Sequence, residues 1–342
     1  MLTHEKVAGS VTRSGARSGT GADGGAREDI RLALRAATMY YLDGLTQAEI
    51  AGRLGVSRPT AGRLVARAKA RGLVRIEVAI PPDLTDDLHA EEERELERRF
   101  GLTEAVIAGH GADDSARPSS FAPVGRAAAA LLMRRLSADD VLGFTWGPEQ
   151  VAVANALPPG VASCRAVVQL DGAMSTAAYQ TGTEQILSRC ADTLRAATLR
   201  LPAPLYADPS TVASMRSDSI ISRTLEAGRR ADMMLFGVGA VSTSTTLFEG
   251  SFIDTRMLDE LVALGAVGEI GGRFFDAHGA PVATELQERA VSVPLEDIRN
   301  CEKSLLISSG AAKYQATLGA LRGKLAKLLV CDIDCARWLL AQ

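Results

Sequence analysis

TQAEIAGRLGVSRPTAGRLVAR, residues 46–67, decides how the N-terminal part of this 342-residue chain folds. Ile50, Ala51 and Leu54 recur at helical spacing behind a polar cap, Thr46, and the run stops at Gly55. Val56 fills the corner. Ser57 then caps a second helix in which Pro59 suits a first-turn position, and Leu64, Val65 and Ala68 make its inner face. Arg58, Thr60, Arg63 and Arg67 are left to point outward, and Arg63, Arg67 and Arg71 form one stripe at i, i+4 spacing. This is the pattern of a helix-turn-helix, which offers one helix to the major groove of double-stranded DNA, with arginines for phosphates and guanine edges. The residues expected at DNA are Thr46 and Gln47 on the first helix, and Ser57, Arg58, Pro59, Thr60, Arg63 and Arg67 on the second. The alternative is an ordinary solvated pair of surface helices.

Charge supports the DNA reading locally. The whole chain carries −3, so it is no polycation. Over residues 28–80, however, nine Lys or Arg face five Asp or Glu, a net of +4. Over 81–115 three face eleven, a net of −8, as expected of a basic reader followed by an acidic connector. Apolar content of 46% with 23% charge describes a globular protein of two or three domains. Cys164, Cys190, Cys301, Cys331 and Cys335 show no C-x-x-C spacing and are expected to be buried thiols in a reducing compartment. No apolar run approaches the roughly 18 residues of a membrane span, and no signal core opens the chain, so a cytoplasmic protein with no membrane partner is expected.

Along the chain, residues 1–26 are rich in Gly, Ser, Thr and Ala and are expected to form a flexible tail. A helix from Glu28 to Asp43 places Ile30, Leu34, Ala37 and Tyr41 on one face and ends at Gly44. LVRIEVAI, 73–80, alternates as a half-buried strand and is expected to be the wing of a winged helix. The helix-turn-helix domain is thus placed at 27–81. A linker helix follows at 82–101, whose Leu84, Leu88, Leu96 and Phe100 form a thin seam suited to dimerisation or to packing on the next domain. From 102 to 342 short apolar strands alternate with helices. The strands are EAVIAG (104–109), VLGFTW (141–146), AVVQL (166–170), ATLRL (197–201), DMMLFGV (232–238), SLLIS (304–308) and KLLVC (327–331). Helices are expected at 124–136, 219–230 and 312–323. This alternation indicates a doubly wound, mostly parallel, Rossmann-like α/β sheet, whose ligands bind beyond the carboxyl ends of the strands.

At those ends stand Thr145-Trp146-Gly147, Asp171-Gly172-Ala173, Gly237-Val238-Gly239, the Gly-rich run GAVGEIGGRFFDAHG (265–279) and SSGAAK (308–313), with Lys313 opening a helix. Such turns bring backbone N–H groups to an anion, and the lysine adds a full charge. Asp171, Glu269 and Asp276 are open between acid–base work, holding sugar hydroxyls and capping turns. GVGAVS (237–242) lacks the third glycine of a dinucleotide fingerprint, and there is no G-x-x-x-x-G-K-[ST]. His4, His89, His110 and His278 form no pair with metal spacing. Neither a metal site nor a cofactor nor a catalytic residue is expected.

The stretch 40–76, together with VLGFTWG, QLDGA, LPAPLYAD, GAVGEIGGRFFDAHG, the G-x-x-K of Gly310 to Lys313 and LAKLLVCDIDCARWLL (325–340), resembles the SorC family of sugar-responsive bacterial transcriptional regulators. The resemblance runs from residue 30 to the end. It implies an operator-binding N-terminus and an effector domain that binds a sugar, polyol or sugar phosphate without turning it over, in a homotetramer assembled from dimers. Carried over by position, the implied effector contacts are Thr145, Trp146 and Gly147, then Gln169, Asp171 and Gly172, then Gly239, Glu269 and Phe275, and Lys313. Glu269 is implied to hold hydroxyls and Lys313 an anionic or carbonyl end. Two departures stand out. Many members read W-G-R-T where this chain has Trp146-Gly147-Pro148-Glu149, and the usual glycine pair before the lysine is reduced to Ser309-Gly310. The first counts against strong phosphate binding through this loop and makes a neutral sugar or polyol credible beside a sugar phosphate. The alternative to a regulator is a sugar-phosphate isomerase- or deaminase-like enzyme fused to a DNA-binding domain, which the fold alone permits.

Overall fold

A computed structural model describes residues 21–76, 88–109, 121–173, 175–176, 179–180, 182–249 and 252–342. The chain divides into two compact units, 1–79 and 80–342. The first holds three helices, α1 (Gly21–Tyr41), α2 (Gln47–Leu54) and α3 (Arg58–Ala70). Thr46 caps α2 in a full capping box with Glu49, and Gly55 closes it in the left-handed conformation at φ 66°. Ser57 caps α3, its hydroxyl accepting from the Thr60 N–H, with Pro59 in the first turn. The core is small and alanine-rich: Ala33, Ala36 and Ala37 of α1 meet Ile50 and Ala51 of α2 and Ala61, Leu64, Val65 and Ala68 of α3.

Three expectations change here. α1 begins at Gly21, inside the expected tail of 1–26, because each residue added to a formed helix gains a hydrogen bond at little further cost. Residues 1–20 of that tail lie outside the described residues. The face of α1 also differs: Ile30, Leu34 and Tyr41 are exposed and only Ala37 of the expected stripe is buried. Close helix packing selects the alanine stripe over the bulkier one, since small side chains let the helix axes approach. Finally, Leu73 to Ile76 form no strand, and the remainder of the expected wing, 77–80, lies outside the described residues.

The second unit opens with α4 (Ala90–Phe100) and continues β1 (Glu104–Ala108), α5 (Ala122–Arg135), β2 (Val141–Phe144), α6 (Pro148–Ala156), β3 (Ala166–Gln169), β4 (Ser175–Thr176), β5 (Tyr179–Gln180), α7 (Thr183–Leu194) and β6 (Ala197–Leu199). Then come α8 (Pro209–Ser217), α9 (Ser219–Arg229), β7 (Met233–Gly237), β8 (Gly239–Ala240), α10 (Thr246–Glu249), α11 (Thr255–Ala263), β9 (Ala266–Ile270) and β10 (Arg273–Asp276). The chain ends with α12 (Glu285–Arg289), α13 (Leu295–Asn300), β11 (Lys303–Ser308), α14 (Tyr314–Arg322), β12 (Leu328–Asp332) and α15 (Ile333–Leu340). Seven strands form one parallel sheet in the order β1-β12-β11-β7-β2-β3-β6. All seven are runs of the expected alternation.

Successive strand residues enter opposite cores, as a pleated sheet requires. Met233 and Leu235 join α5, α6 and α7 on one face, while Met234 and Phe236 join α13, α14 and α15 on the other. α4 belongs to this second face. Leu96 is fully buried there, Glu97 and Glu93 accept from the N–H groups of Ala105 and Ile107, and Arg99 donates to the Leu340 carbonyl. Leu96 and Phe100 of the expected seam therefore pack on the effector domain, one of the two roles open to it, while Leu88 is exposed and the start of the expected helix, 82–87 with Leu84, lies outside the described residues.

The strand order reverses at β2. From it the chain runs outward through β3 to β6, then returns to pair β7 on the other side of β2. Beyond the sheet, β8, β9 and β10 form a three-stranded antiparallel sheet. Its β9–β10 turn is Gly271-Gly272, at φ +55° and +75°, the two-residue left-handed loop that twists a hairpin correctly.

Candidate functional site

In the first unit α3 presents Arg58, Arg63 and Arg67 to solvent, and Arg71 follows just past its end. Thr46, Ser57 and Thr60 are committed to the caps: Ser57 and Thr60 share a 2.8 Å hydroxyl hydrogen bond, and the Arg63 guanidinium donates to the Thr60 hydroxyl at 3.2 Å. Gln47 lies against Gly62, where a Cβ would stand 3.0 Å from its side-chain oxygen, so it fixes the approach of α2 to α3. Arg67 ion-pairs with Asp29 of α1 at 3.0 Å, but both side chains are about half exposed, and such a pair yields readily to a phosphate. Arg58 and Arg63 thus carry the outward charge near the start of the helix, which is the end that reads base edges in this motif.

In the second unit a cavity of about 180 Å³ opens at the switch point, beyond the carboxyl ends of β2, β7 and β11. Thr145 to Gln150 line it from the turn into α6, Asp171 from the end of β3, Gly237 to Ala240 from β7 and β8, Glu269 and Gly271 from the hairpin, and Lys313 from the start of α14. Phe121, Ser242, Ser244, Thr245 and Leu247 complete the wall. Of the residues expected from the sequence, Thr145, Trp146, Gly147, Asp171, Gly239, Glu269 and Lys313 come together here. Gln169, Gly172 and Phe275 do not line it. Gln169 is buried and braces the loop, donating to the Asp171 carbonyl at 2.7 Å and accepting from the Leu201 N–H. Gly172 stands where a Cβ would meet the Pro204 carbonyl oxygen at 2.2 Å, and Phe275 is a fully buried core ring.

The site is rich in carboxyl groups. Asp171, 1% exposed, accepts from the Trp146 N–H at 3.3 Å. Burial drives its carboxyl well above the usual carboxylate range, the Trp146 N–H opposing this and the nearby Glu269 adding to it. Glu269 accepts from the Gly272 N–H at 2.8 Å. Burial raises its pKa, while that hydrogen bond and the charge of Lys313 pull the other way. Gly239 makes room for this carboxylate: a Cβ there would lie 2.1 Å from the Glu269 Oε1. Tyr206 donates to the Gly272 carbonyl at 2.6 Å and holds the hairpin tip in place.

Lys313 is not a free cation. Its ammonium forms an ion pair with Glu149, whose side chain is 1% exposed, and stands 5.8 Å from the centre of the Phe121 ring. Sequence reading flagged Glu149 only as a departure and missed Gln150 and the Ser242–Thr245 wall. Polar residues directly after the W-G turn were the available sign for the first two. Among the described residues no group of three His, Cys, Asp or Glu side chains is placed to hold a metal ion, and no helix is long and apolar enough to cross a membrane.

Comparison with known proteins agrees with this division. Residues 85–341 match the family described as "Putative sugar-binding domain", and residues 37–82 match the MarR family. The deoxyribonucleoside regulator of Bacillus subtilis is 32% identical over 92% of this chain and 98% of its own length. The sorbitol operon regulator of Klebsiella pneumoniae is 29% identical over 92% of this chain and 98% of its own. The crystal structure of the full-length sorbitol operon regulator SorC from that organism superposes with a TM-score of 0.67 at 28% identity, covering 92% of this chain and 99% of that one. The relatives are named as regulators rather than enzymes, and the chain belongs to the SorC/DeoR-type family of transcriptional regulators, with a helix-turn-helix DNA-binding unit and a sugar-binding domain.

Proposed function

We propose that this regulator binds its operator through Arg58, Arg63 and Arg67 of α3, and that a small sugar, polyol or sugar phosphate held in the switch-point cavity sets the affinity. The observation that carries this is the cavity itself: carboxyls and hydroxyl-bearing side chains converge at the place where such sheets bind ligands, in the same chain as a basic helix-turn-helix. Relatives named for deoxyribonucleosides, sorbitol and erythritol catabolism support a polyhydroxyl effector. Glu269 and Asp171 hold its hydroxyl groups, and Thr145, Trp146, Gly147 and Gly239 shape the space around it. The regulator works in the cytoplasm as an oligomer of identical chains, dimer or tetramer, since two half-sites read by two copies give operator specificity that one helix does not. The effector acts by binding one arrangement of the oligomer better than the other.

Fluorescence anisotropy with the DNA upstream of the protein's own coding region tests this reading. Binding well above that to random DNA at moderate salt, altered by a ligand that also raises the melting temperature, is the expected result. Binding to both DNAs alike counts against it.

A further inference from the structure

Among the described residues, one polar side chain in the cavity has no partner. Gln150, in the first turn of α6, is 1% exposed, and neither its Nε2 nor its Oε1 meets a hydrogen-bonding atom. Its amide is set between two glycines of the strand-end loops. A Cβ on Gly147 would lie 2.4 Å from Oε1, and one on Gly237 would lie 3.1 Å from Nε2. Neither wall carries a side chain to satisfy the amide, and all three residues line the cavity. A buried amide left unmet is costly, and it needs a donor for its oxygen and an acceptor for its nitrogen at once. A hydroxyl group supplies both. A phosphate dianion has no proton to give.

Charge points the same way. Among the described residues lining the cavity, Lys313 carries the one ammonium or guanidinium, and the buried Glu149 already engages it. An incoming phosphate would have to share this ammonium with the buried Glu149 and bring its own negative charge beside that carboxylate, which burial makes costly. An uncharged ligand leaves the pair intact. We propose that Gln150 reads a hydroxyl of the bound ligand and that the Glu149–Lys313 pair shuts the cavity to phosphate, so that the site takes an uncharged polyhydroxyl compound in preference to its phosphate ester. This rests on the reading of the cavity as the effector site.

The test is calorimetric titration and thermal shift of the full-length protein with erythritol, ribitol, D-sorbitol and D-ribose, each beside its terminal phosphate ester, and with inorganic phosphate. At least one uncharged compound is expected to bind about tenfold or more tighter than its ester. Gln150→Leu is expected to lower that affinity roughly ten- to a hundredfold, as loss of a buried hydrogen-bonding group does. The melting temperature of the ligand-free variant holds or rises, because the unmet amide is gone. Glu149→Gln releases Lys313 and narrows the gap between polyol and ester about tenfold. Tighter binding of the esters by the wild type, or unchanged polyol affinity in Gln150→Leu, overturns this inference and leaves the effector site standing. A ligand-free Gln150→Leu protein that melts several degrees lower shows the amide to be structural and overturns the hydroxyl-reading role. A wild type that binds none of the compounds, charged or uncharged, overturns both the effector-site reading and this inference.

Discussion

Lys313→Met isolates the ion pair on which the character of the cavity depends. Methionine keeps much of the lysine stem's packing but removes the ammonium, leaving Glu149, with its side chain 1% exposed, without its counter-charge. Breaking a buried pair from one side typically costs ~3–5 kcal/mol, because the remaining charge is stranded away from water. The Lys313 side chain is 22% exposed, so water reaches the vacated position and the cost falls toward the low end, about 2–4 kcal/mol. Glu149→Gln is milder, about 1–2 kcal/mol, because the freed ammonium turns to solvent and to Glu269. The double variant has neither stranded charge, so its cost falls short of the sum by about 1–3 kcal/mol. Urea unfolding followed by tryptophan fluorescence measures this selectively, since both tryptophans, Trp146 and Trp338, lie in the C-terminal unit. An unchanged dependence on urea concentration shows that the native fold is retained. If the two single costs add to within about 0.5 kcal/mol, the pair is not formed in the free protein, and Lys313 is open to an anionic ligand after all.

Three further outcomes follow from the geometry. Arg63→Ala is expected to lose about 1–3 kcal/mol of operator affinity with little change on random DNA, measured by anisotropy; equal losses on both make it a phosphate contact only. Gly239→Ala drives a methyl group into the space of the Glu269 carboxylate, so the protein still binds DNA but its ligand-induced rise in melting temperature disappears. Asp171 and Glu269 have carboxyl pKa values raised by burial, so the folded chain holds protons that the unfolded chain releases. Between the ordinary carboxylate value and the raised one, stability therefore falls as pH rises, and above that window the full cost remains. Asp171→Asn keeps an oxygen for the Trp146 N–H without the charge. Its stability gain over wild type is expected to grow from pH 4 to pH 8 in urea unfolding, and a gain independent of pH contradicts the assignment.

The parallel sheet was legible because buried strands are continuous apolar runs: VLGF, AVVQ and MMLF declare themselves without reference to anything distant. The helix-turn-helix was legible for a related reason, since its caps at Thr46 and Ser57 act within three residues. The core face of α1 was not. Ala33 and Ala36 carry a weaker apolar signal than Ile30 and Leu34, and only the proximity of α3 decides between the two stripes. The β9–β10 hairpin was hidden inside a run noticed for its glycines, although Gly271-Gly272 between apolar stretches is itself a hairpin turn. In the site, resemblance brought seven of ten expected residues to one cavity, but it placed Phe275 there too, where the structure has core. The pairing of Lys313 with Glu149 spans 164 positions, and no local pattern announces it. Nor does spacing reveal that the Gln150 amide has no partner, because that depends on the absence of side chains at Gly147 and Gly237.

The central claim is that occupancy of the switch-point cavity controls DNA binding by α3. The most direct measurement is an anisotropy titration of the upstream duplex with and without the polyol that stabilises the protein most, run on the wild type and on Gly239→Ala. The expected result is a several-fold change in apparent Kd on adding the polyol to the wild type, absent in the variant, with equal Kd values for the two proteins when no polyol is present. The same polyol-induced change in both proteins contradicts the claim.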